Sequence, residues 1–234
     1  EVEISAQVEF KVYLEGAYNV NQGEMITALH DLELLPLEQP YNQSPWNYNG
    51  EEELDDYDDF PSDVVDWVLV EVRTGTPNLM GNAGTTVIER KAALLLKNGR
   101  IWDSRTLSPL VFEEIDQEDD LYFVIRHRNH LDILSANPIS ANLTMIYDFT
   151  ASPTQAFGNF QQLATEDNKA AMFVGDYNQD GVIQISDFDA WKANPAQIGA
   201  YSPLDGTLDG VVQQTDNDAW RPNKAKIGSV EISF

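Results

Sequence analysis

The sequence predicts a mainly β protein, with an antiparallel β-sandwich over residues 1–170 and a small module of two repeated loops with short helices over residues 171–234. Three observations lead to this prediction. Apolar and polar residues alternate at the start of the chain, short strand-like segments recur at regular spacing up to residue 149, and one loop pattern occurs twice after residue 175. Regularly spaced short strands with few helix signals are typical of a sandwich.

The first domain contains a series of predicted strands. Alternation with a period of two along residues 1–15 indicates a strand with one buried face, about 45 Å long at roughly 3.3 Å per residue. A continuous apolar run at residues 64–72 predicts a buried strand, and Asn98–Gly99 is a strong hairpin signal. Residues 155–168 are expected to connect the two domains. Further strands are expected at residues 85–97, 100–102, 121–127, 130–135 and 142–149.

The chain after residue 175 contains a duplicated acidic loop. Residues 176–187 and 205–216 share one register, because 187 and 216 differ by 29 and the same offset aligns Trp191 with Trp220. A register kept over this length indicates a duplicated unit. The sixth position of each loop is glycine, which takes the unusual backbone angles of a sharp turn without penalty.

Oxygen-bearing residues in each loop have the spacing of a Ca²⁺ site. Ca²⁺ takes roughly six to eight oxygen ligands, and a loop of this kind supplies them from its first, third, fifth, seventh, ninth and twelfth residues. We therefore predict two Ca²⁺ ions as cofactors, the second bound more weakly because Thr207 is a poorer ligand than Asn178. The expected ligands, with main-chain carbonyls at the two valines, are Asp176, Asn178, Asp180, Val182, Gln184 and Asp187 in the first loop, and Asp205, Thr207, Asp209, Val211, Gln213 and Asp216 in the second.

These loops resemble the dockerin family, whose duplicated loop–helix units bind Ca²⁺ and end each loop in Asp. The resemblance covers about the last quarter of the chain and implies the same metal-ligating side chains. Two features depart from the family pattern. Pro195 and Pro222 stop the helices early, and residues 185–186 and 214–215, at the positions that dockerins use to recognise cohesin, do not match each other. Calcium binding is therefore better supported than cohesin recognition.

The first domain is similar to a recurring module of large bacterial cell-surface proteins exported by the type IX secretion route. This resemblance implies an extracellular or cell-surface location, and it implies no reaction. The chain starts at Glu1 rather than Met, which we interpret as a mature, exported protein, and it ends at Phe234 without an obvious sorting domain. The resemblance is carried by residues 12–18, 40–42, 45–50, 65–71 and 127–130.

Composition excludes several functional classes. The chain has 39 acidic and 14 basic residues, for a net charge of -25, so it repels nucleic acid and anionic membranes. It has no cysteine, which excludes disulfides and thiolate catalysis. No apolar run reaches the roughly 18 residues of a membrane span. We interpret the acidic run at residues 51–59 as a solvated loop, with a further cation site as the alternative.

Motifs of catalysis are missing from the sequence. The spacing of His127 and His130 fits a metal pair only loosely, and no HExxH, GxSxG or phosphate-binding glycine motif occurs. Carboxylate pairs are uninformative in a chain with 39 acids. We therefore expect no enzymatic activity and no catalytic residues, and we expect the two histidines to be structural or exposed polar residues.

The two ends of the chain share a sequence: residues 230–233 repeat residues 2–5 letter for letter. Such alternation is also ordinary strand composition. The alternative is that both ends form strands that fill similar sheet edges, so that one copy adds a strand to the next in a head-to-tail homopolymer. The predicted assembly-strand residues are Val2, Ile4, Val8, Val230, Ile232 and Phe234.

Taken together, the sequence predicts a secreted, calcium-binding structural protein, most plausibly a self-assembling subunit of a filament, tube or surface layer. One alternative is a non-catalytic cell-surface module that binds a glycan or a protein. In that case Trp46, Tyr48 and Tyr57 could form an aromatic platform for sugar rings, although buried aromatic residues are the safer interpretation. The other alternative is a dockerin-like anchor of a larger complex.

Overall fold

A computed structural model describes residues 4–79, 84–115, 120–140, 145–194 and 196–233. Strands dominate the first domain and short helices occur chiefly in the second. The strands are β1 Ile4–Lys11, β2 Tyr18–Asn19, β3 Glu24–Met25, β4 Val64–Gly75, β5 Thr85–Leu96, β6 Arg100–Trp102, β7 Leu110–Ile115, β8 Asp120–His127, β9 His130–Leu134, β10 Ile139–Ser140, β11 Met145–Asp148, β12 Gln162–Ala164, β13 Ala170–Met172, β14 Gln197–Ile198 and β15 Val211–Val212. The α-helices are α1 Ala28–Asp31, α2 Ile185–Ala193 and α3 Gln214–Trp220.

Nine of the described strands form one sheet that curls around an apolar core, and the other six form three two-stranded sheets: β2-β3, β12-β13 and β14-β15. The main path of the nine-stranded sheet runs β10-β8-β4-β5-β6-β1-β11, with β7 paired to β1 and β9 paired to β8. All of these pairings are antiparallel except that of β1 with β11. The rings of Phe10 in β1 and Phe123 in β8 are 4.8 Å apart between centroids, although three strands separate them in the sheet. The mainly β, antiparallel prediction is confirmed, and this curling is consistent with the predicted sandwich.

Strand β4 lies at the centre of the sheet, as its continuous apolar sequence predicts. It pairs with β5 on one edge and β8 on the other, and its first ten residues are all buried. Three of those buried residues are charged: Asp66, Glu71 and Arg73. A charged residue is seldom buried unless it is paired, so these positions mark built ionic contacts.

The first strand is shorter than expected and lies inside the sheet. It covers Ile4–Lys11 rather than residues 1–15, and residues 1–3, including Val2, lie outside the described part. Val8 pairs with Leu110 on one edge and with Met145 on the other. Both edges of β1 are therefore satisfied within the chain at Val8, which argues against the expected role of Val8 in a strand offered to another copy. Ile4 is paired on one edge, with Ile115.

The prediction of a terminal strand over residues 229–234 is wrong for its described part. Residues Val230–Ile232 form a 3₁₀ turn, and Phe234 lies outside the described residues. The turn forms because its glutamate is held in place: Glu231 accepts hydrogen bonds from the Thr85 amide and hydroxyl, both at 2.6 Å, and from the Gly84 amide at 3.0 Å. The shared sequence of the two ends therefore does not give a shared structure.

Two arginines fix the carbonyl groups of this C-terminal segment. Arg73 donates to the Glu231 carbonyl at 3.2 Å, and Arg126 donates to the Ile232 carbonyl at 3.1 Å. Both arginines also pair with Glu71. The segment is bound by a buried ionic network, and Ile232 fills a small apolar cluster with Val124 and Leu134.

The remaining strand predictions are confirmed within a few residues, while some elements escape sequence reasoning. Gly99 has φ +88°, as a tight turn between β5 and β6 requires. Strand β7 was not predicted, and β12 and β13 form a hairpin within and just after the segment expected to be a plain connection. These strands are short and lack clear alternation, which explains why the periodicity does not reveal them.

Candidate functional site

The two repeated loops have the same internal hydrogen bonds. In the first loop, the Asp176 carboxylate accepts from the amides of Asp180 at 3.2 Å and Gly181 at 3.0 Å. In the second loop, the Asp205 carboxylate accepts from the amides of Asp209 at 3.2 Å and Gly210 at 2.8 Å. The two glycines have φ +80° and +82°. The glycine prediction for the sixth position is therefore matched by its backbone geometry.

The last acidic residue of each loop closes it onto its third and ninth residues. Asp187 accepts from the amides of Asn178 at 3.1 Å and Gln184 at 2.8 Å. Its counterpart Asp216 accepts from the amides of Thr207 at 3.0 Å and Gln213 at 2.7 Å. Helices α2 and α3 begin directly after these ninth residues, so each loop ends on a short helix as predicted.

Each loop forms a short β pairing with the segment that follows the helix of the other repeat. Val182 pairs with Ile227, which follows the second helix, and Val211 pairs with Ile198, which follows the first. The offset of 29 converts one pair into the other, since 182 + 29 = 211 and 227 - 29 = 198. The two repeats therefore pair with each other in a symmetric arrangement. Ile183 and Val212 from the two loops lie in one apolar cluster beneath them.

The first and last carboxylates of both loops are buried. Burial, together with the charges of Asp132 and Asp187, raises the pKa of Asp176 to about 8. Burial raises the pKa of Asp205 to about 6, while the Arg128 guanidinium opposes the rise. Burial also raises the pKa of Asp187 and of Asp216. Such groups are destabilised as anions, and a bound cation would relieve the cost.

The donor chemistry of each loop fits a hard cation, although the carboxylates are not gathered into a ready cluster. Within the described ranges, no group of three or more His, Cys, Asp or Glu side chains is close enough to hold a metal ion. The middle carboxylates are engaged locally: Asp180 accepts from Gln184 Nε2 at 3.1 Å, and Asp209 accepts from Gln213 Nε2 at 3.0 Å. Calcium loops also use amide, hydroxyl and main-chain oxygens, which both loops offer. Calcium binding at all twelve predicted residues therefore stays a prediction.

The tip of the β8–β9 hairpin contacts the second loop. Arg128 donates through Nη1 to the Ser202 carbonyl, and Asn129 donates to the Asp205 carbonyl at 2.6 Å. Arg128 also pairs with Asp66 at 2.9 Å. Burial alone would raise the pKa of Asp66, but the charge of Arg128 together with the contacts of His127 and Tyr201 outweighs it and lowers the pKa to about 2. This buried ion pair connects strand β4 to the segment that precedes the second loop.

His127 and His130 belong to the same junction and act structurally. Both are fully buried. His127 Nε2 lies 3.1 Å from Asp66 Oδ2, and the two imidazoles lie 3.1 Å apart at their Nδ1 atoms. Burial lowers the pKa of His127 and places that of His130 well below its usual range, so both are neutral near pH 7. The expectation of a structural role fits these contacts.

Sequence reasoning missed Asp66, Asp132 and Arg128 as parts of this region. The sequence contained one indication of this region: Asp66 lies inside the apolar run of β4, and a charge buried there needs a partner. Nothing in the sequence indicated which partner lies across from it. Pairing Asp66 with Arg128, and placing Asp132 near the first loop, required the fold.

The proposed sugar-binding platform is wrong. Trp46 and Tyr48 are buried members of the core, and the rings of Tyr57 and Phe60 pack at 5.0 Å between centroids beside them. Trp46 and Tyr48 are 6% and 8% exposed, which leaves too little ring surface to stack on a sugar, and Tyr57 is half-buried. The acidic run at residues 51–59 is largely exposed, and its Asp56 caps a 3₁₀ turn at Tyr57–Asp59.

Comparisons with known proteins identify no family. No protein-family model and no curated protein matches the chain. Two solved chains are similar, both from crystal structures of mutant type II cohesin–X-dockerin complexes of Acetivibrio cellulolyticus. The first is 14% identical with a TM-score of 0.44, covering 96% of this chain and 98% of that chain. The second is 12% identical with a TM-score of 0.38, covering 98% of this chain and 99% of that chain.

Both TM-scores are below 0.5, so nothing about the function of this chain is drawn from these likenesses. The resemblances to dockerins and to exported surface modules remain predictions. In the part of the chain that the structure describes, no helix is long and apolar enough to cross a membrane.

Proposed function

We propose that this chain is a non-catalytic, extracellular binding module for a protein partner, in which two Ca²⁺ ions hold the duplicated loops and their junction with the β domain. The observation that carries the proposal is the symmetric pair of loops, each closing two buried carboxylates onto main-chain amides. Asp176, Asp187, Asp205 and Asp216 would supply most of the negative charge for the two ions. Asn178, Thr207, the carbonyls of Val182 and Val211, and the remaining loop side chains would complete the oxygen sets.

A binding role is supported over self-assembly through exchanged strands. Strand β1 is paired on both edges at Val8, Phe10 and Lys11, and the described part of the C-terminal segment is bound to its own sheet through Glu231. A catalytic role finds no support at the buried histidines, because each contacts structural partners rather than an open site. A homopolymer and a dockerin-like anchor remain outcomes that a partner screen would reveal.

Calcium-dependent stability tests this proposal. Thermal unfolding of the intact chain should be compared in millimolar Ca²⁺, in millimolar Mg²⁺ and in chelator. A ligand at about 100 times its dissociation constant stabilises a protein by about 2.7 kcal/mol, so calcium should raise Tm by several degrees and chelator should remove the gain. The double variant Asp176→Asn with Asp205→Asn should lose the calcium effect.

The chain offers a matched control for that variant. Asp189 and Asp218 are exposed residues at equivalent places in α2 and α3, since 189 + 29 = 218. Replacing both by Asn makes the same change in charge away from the loops and should leave the calcium effect intact. An identical Tm in calcium and in chelator for the unmodified chain would contradict the proposal.

A further inference from the structure

The chain after helix α3 contacts the first repeated loop and then the β sheet. The Gly228 amide donates to the Gly181 carbonyl at 2.8 Å, and the Lys226 carbonyl accepts from the Ile183 amide at 2.9 Å. The next residues, the 229–233 segment, bond to strands β4, β5 and β8. One short stretch of chain therefore connects the proposed first calcium site to the β domain.

The β domain binds the Glu231 carboxylate in a built site. Its Oε1 accepts from the amide and the hydroxyl of Thr85, both at 2.6 Å, and its Oε2 accepts from the amides of Gly84 at 3.0 Å and Asn78 at 3.2 Å. Burial alone would raise the pKa of Glu231, but these hydrogen bonds outweigh it and lower the pKa below its ordinary value. All four contacts come from donors, so the site selects an anion.

The main chain beside this carboxylate is also held. Arg73 donates to the Glu231 carbonyl at 3.2 Å, and Arg126 donates to the Ile232 carbonyl at 3.1 Å. The side chain and the main chain of the segment are therefore fixed in one register. Only three residues lead from Gly228 to Glu231, which is at most about 11 Å of chain. A movement of Gly228 on the first loop must therefore shift or strain the Glu231 contacts as well.

Asp132 makes a second connection between the first loop and the 229–233 segment. Its carboxylate pairs at 2.5 Å with Arg126, the residue that holds the Ile232 carbonyl. The charge of Asp132 is also, after burial, a cause of the raised pKa of Asp176 in the first loop. Asp132 lines a cavity of about 140 Å³ whose walls include parts of both the loop and the segment. A change of charge in the first loop therefore acts on a residue that helps to fix the segment.

The second loop is connected to the β domain by a different group. The offset of 29 places the 229–233 segment against residues 200–204, since 229 - 29 = 200 and 233 - 29 = 204. In that stretch the Tyr201 hydroxyl donates to Asp66 Oδ1 at 2.6 Å. The contact of a bound carboxylate with main-chain amides therefore distinguishes the first loop from the second, which provides an internal control.

We propose that the Glu231 site and the first calcium loop are coupled through residues 225–233, so that Ca²⁺ in the first loop strengthens the hold of the β domain on Glu231. The proposal rests on the proposed function, because it requires Ca²⁺ in the first loop. A coupling between two sites is reciprocal, so calcium tightens the Glu231 contact by the same factor by which that contact tightens calcium. Calcium in the first loop thereby controls how firmly the two domains are joined.

Hydrogen exchange on the intact chain tests the effect of calcium on the Glu231 site. The amides of Gly84 and Thr85 both donate to Glu231, so Ca²⁺ should slow their exchange by about tenfold relative to chelator. In the variant Glu231→Gln this specific slowing should be lost. Equal slowing of amides throughout the β domain would indicate general stabilisation and would overturn the coupling, as would unchanged exchange at Gly84 and Thr85.

Calorimetric titration with Ca²⁺ tests the reciprocal effect. Thr85→Val removes one hydrogen-bond donor without changing the charge, and it should weaken the first site by about fivefold while the second site keeps its affinity. Glu231→Gln should weaken the first site by about tenfold. Asp189→Asn removes an exposed charge from helix α2 and should change the first site by less than about twofold, because solvent screens that charge. An unchanged first site in Thr85→Val, or equal losses in Asp189→Asn and Glu231→Gln, would contradict the coupling.

The two proposals fail in distinguishable ways. If the titration shows two calcium sites and both are unchanged in Thr85→Val and Glu231→Gln, the coupling is wrong and the calcium module stands. If the intact chain shows neither heat of calcium binding nor a calcium-dependent Tm, both proposals are wrong.

Discussion

The two repeated loops differ less in their own geometry than in what surrounds them. Both close the same two carboxylates onto the same main-chain amides. Outside the loops, Asp132 adds negative charge at Asp176, whereas the Arg128 guanidinium lowers the cost of ionising Asp205. A cation in the first loop would relieve more repulsion than one in the second. If the loops bind Ca²⁺ as proposed, their affinities should depend on charged neighbours outside the loops as well as on the loop sequence.

The largest effect should come from removing the first carboxylate of one loop at a time. Asp176→Asn should weaken the tighter calcium site by about a hundredfold, about 2.7 kcal/mol, because it removes a charged ligand. Asp205→Asn should instead remove the weaker site and leave the tighter one. Calorimetric titration with Ca²⁺ measures both, and loss of the weaker site in Asp176→Asn would reverse the assignment.

The second-largest effect should come from acid, which protonates Asp66 and removes its ion pair with Arg128. The pKa of Asp66 in the folded chain is about 2, below its ordinary value, owing to Arg128. Stabilisation by this group is therefore complete above about pH 4 and is lost as the pH falls toward 2, amounting to about 2 kcal/mol. The free energy of unfolding in chelator should fall over that range in the unmodified chain. Asp66→Asn should lack this component, and an identical pH dependence in both would contradict the role of the pair.

A smaller effect should come from the neighbour of the first loop. Asp132→Asn removes negative charge near Asp176 and should weaken the first site by about fivefold, about 1 kcal/mol, because the surrounding potential becomes less attractive to a cation. The second site should not change. Titration of this variant at neutral pH tests the idea, and an unchanged first site would show that the loop alone sets its affinity.

The smallest effect should come from the third loop position, where the first loop has Asn178 and the second has Thr207. Thr207→Asn gives the second loop the third residue of the first and should strengthen the second site by about threefold, about 0.7 kcal/mol. If this variant made the two sites equal, the neighbours would contribute nothing and the difference would lie in the loop sequence.

How much the sequence could predict follows from how local each feature is. The loops were predicted in full register because glycine, carboxylates and helix starts lie within a few residues of one another. Strand β4 was predicted because burial on both faces leaves a long apolar run. The terminal strand failed because Glu231 is held by Thr85 and Gly84, more than a hundred residues away in the chain.

The residues around the two loops could not be predicted from the sequence for the same reason, because they come from distant parts of the chain. Asp132 and Arg128 are unremarkable in the sequence, and only the β8–β9 hairpin brings them to the two loops. The sequence left both a surface and a buried position open for Trp46, and the structure packs it against Tyr41 in the core. Long-range pairing of this kind leaves no periodic trace.

The most direct test of the comparison is a calcium titration followed by ¹H–¹⁵N spectra, because the amides of Gly181 and Gly210 report the two loops separately. Both amides are bound to the first carboxylate of their loop. We predict that the Gly181 signal changes at lower Ca²⁺ concentration and the Gly210 signal at higher concentration. Gly210 changing first, or both changing together, would contradict unequal sites set by their neighbours, and no change in either would contradict calcium binding itself.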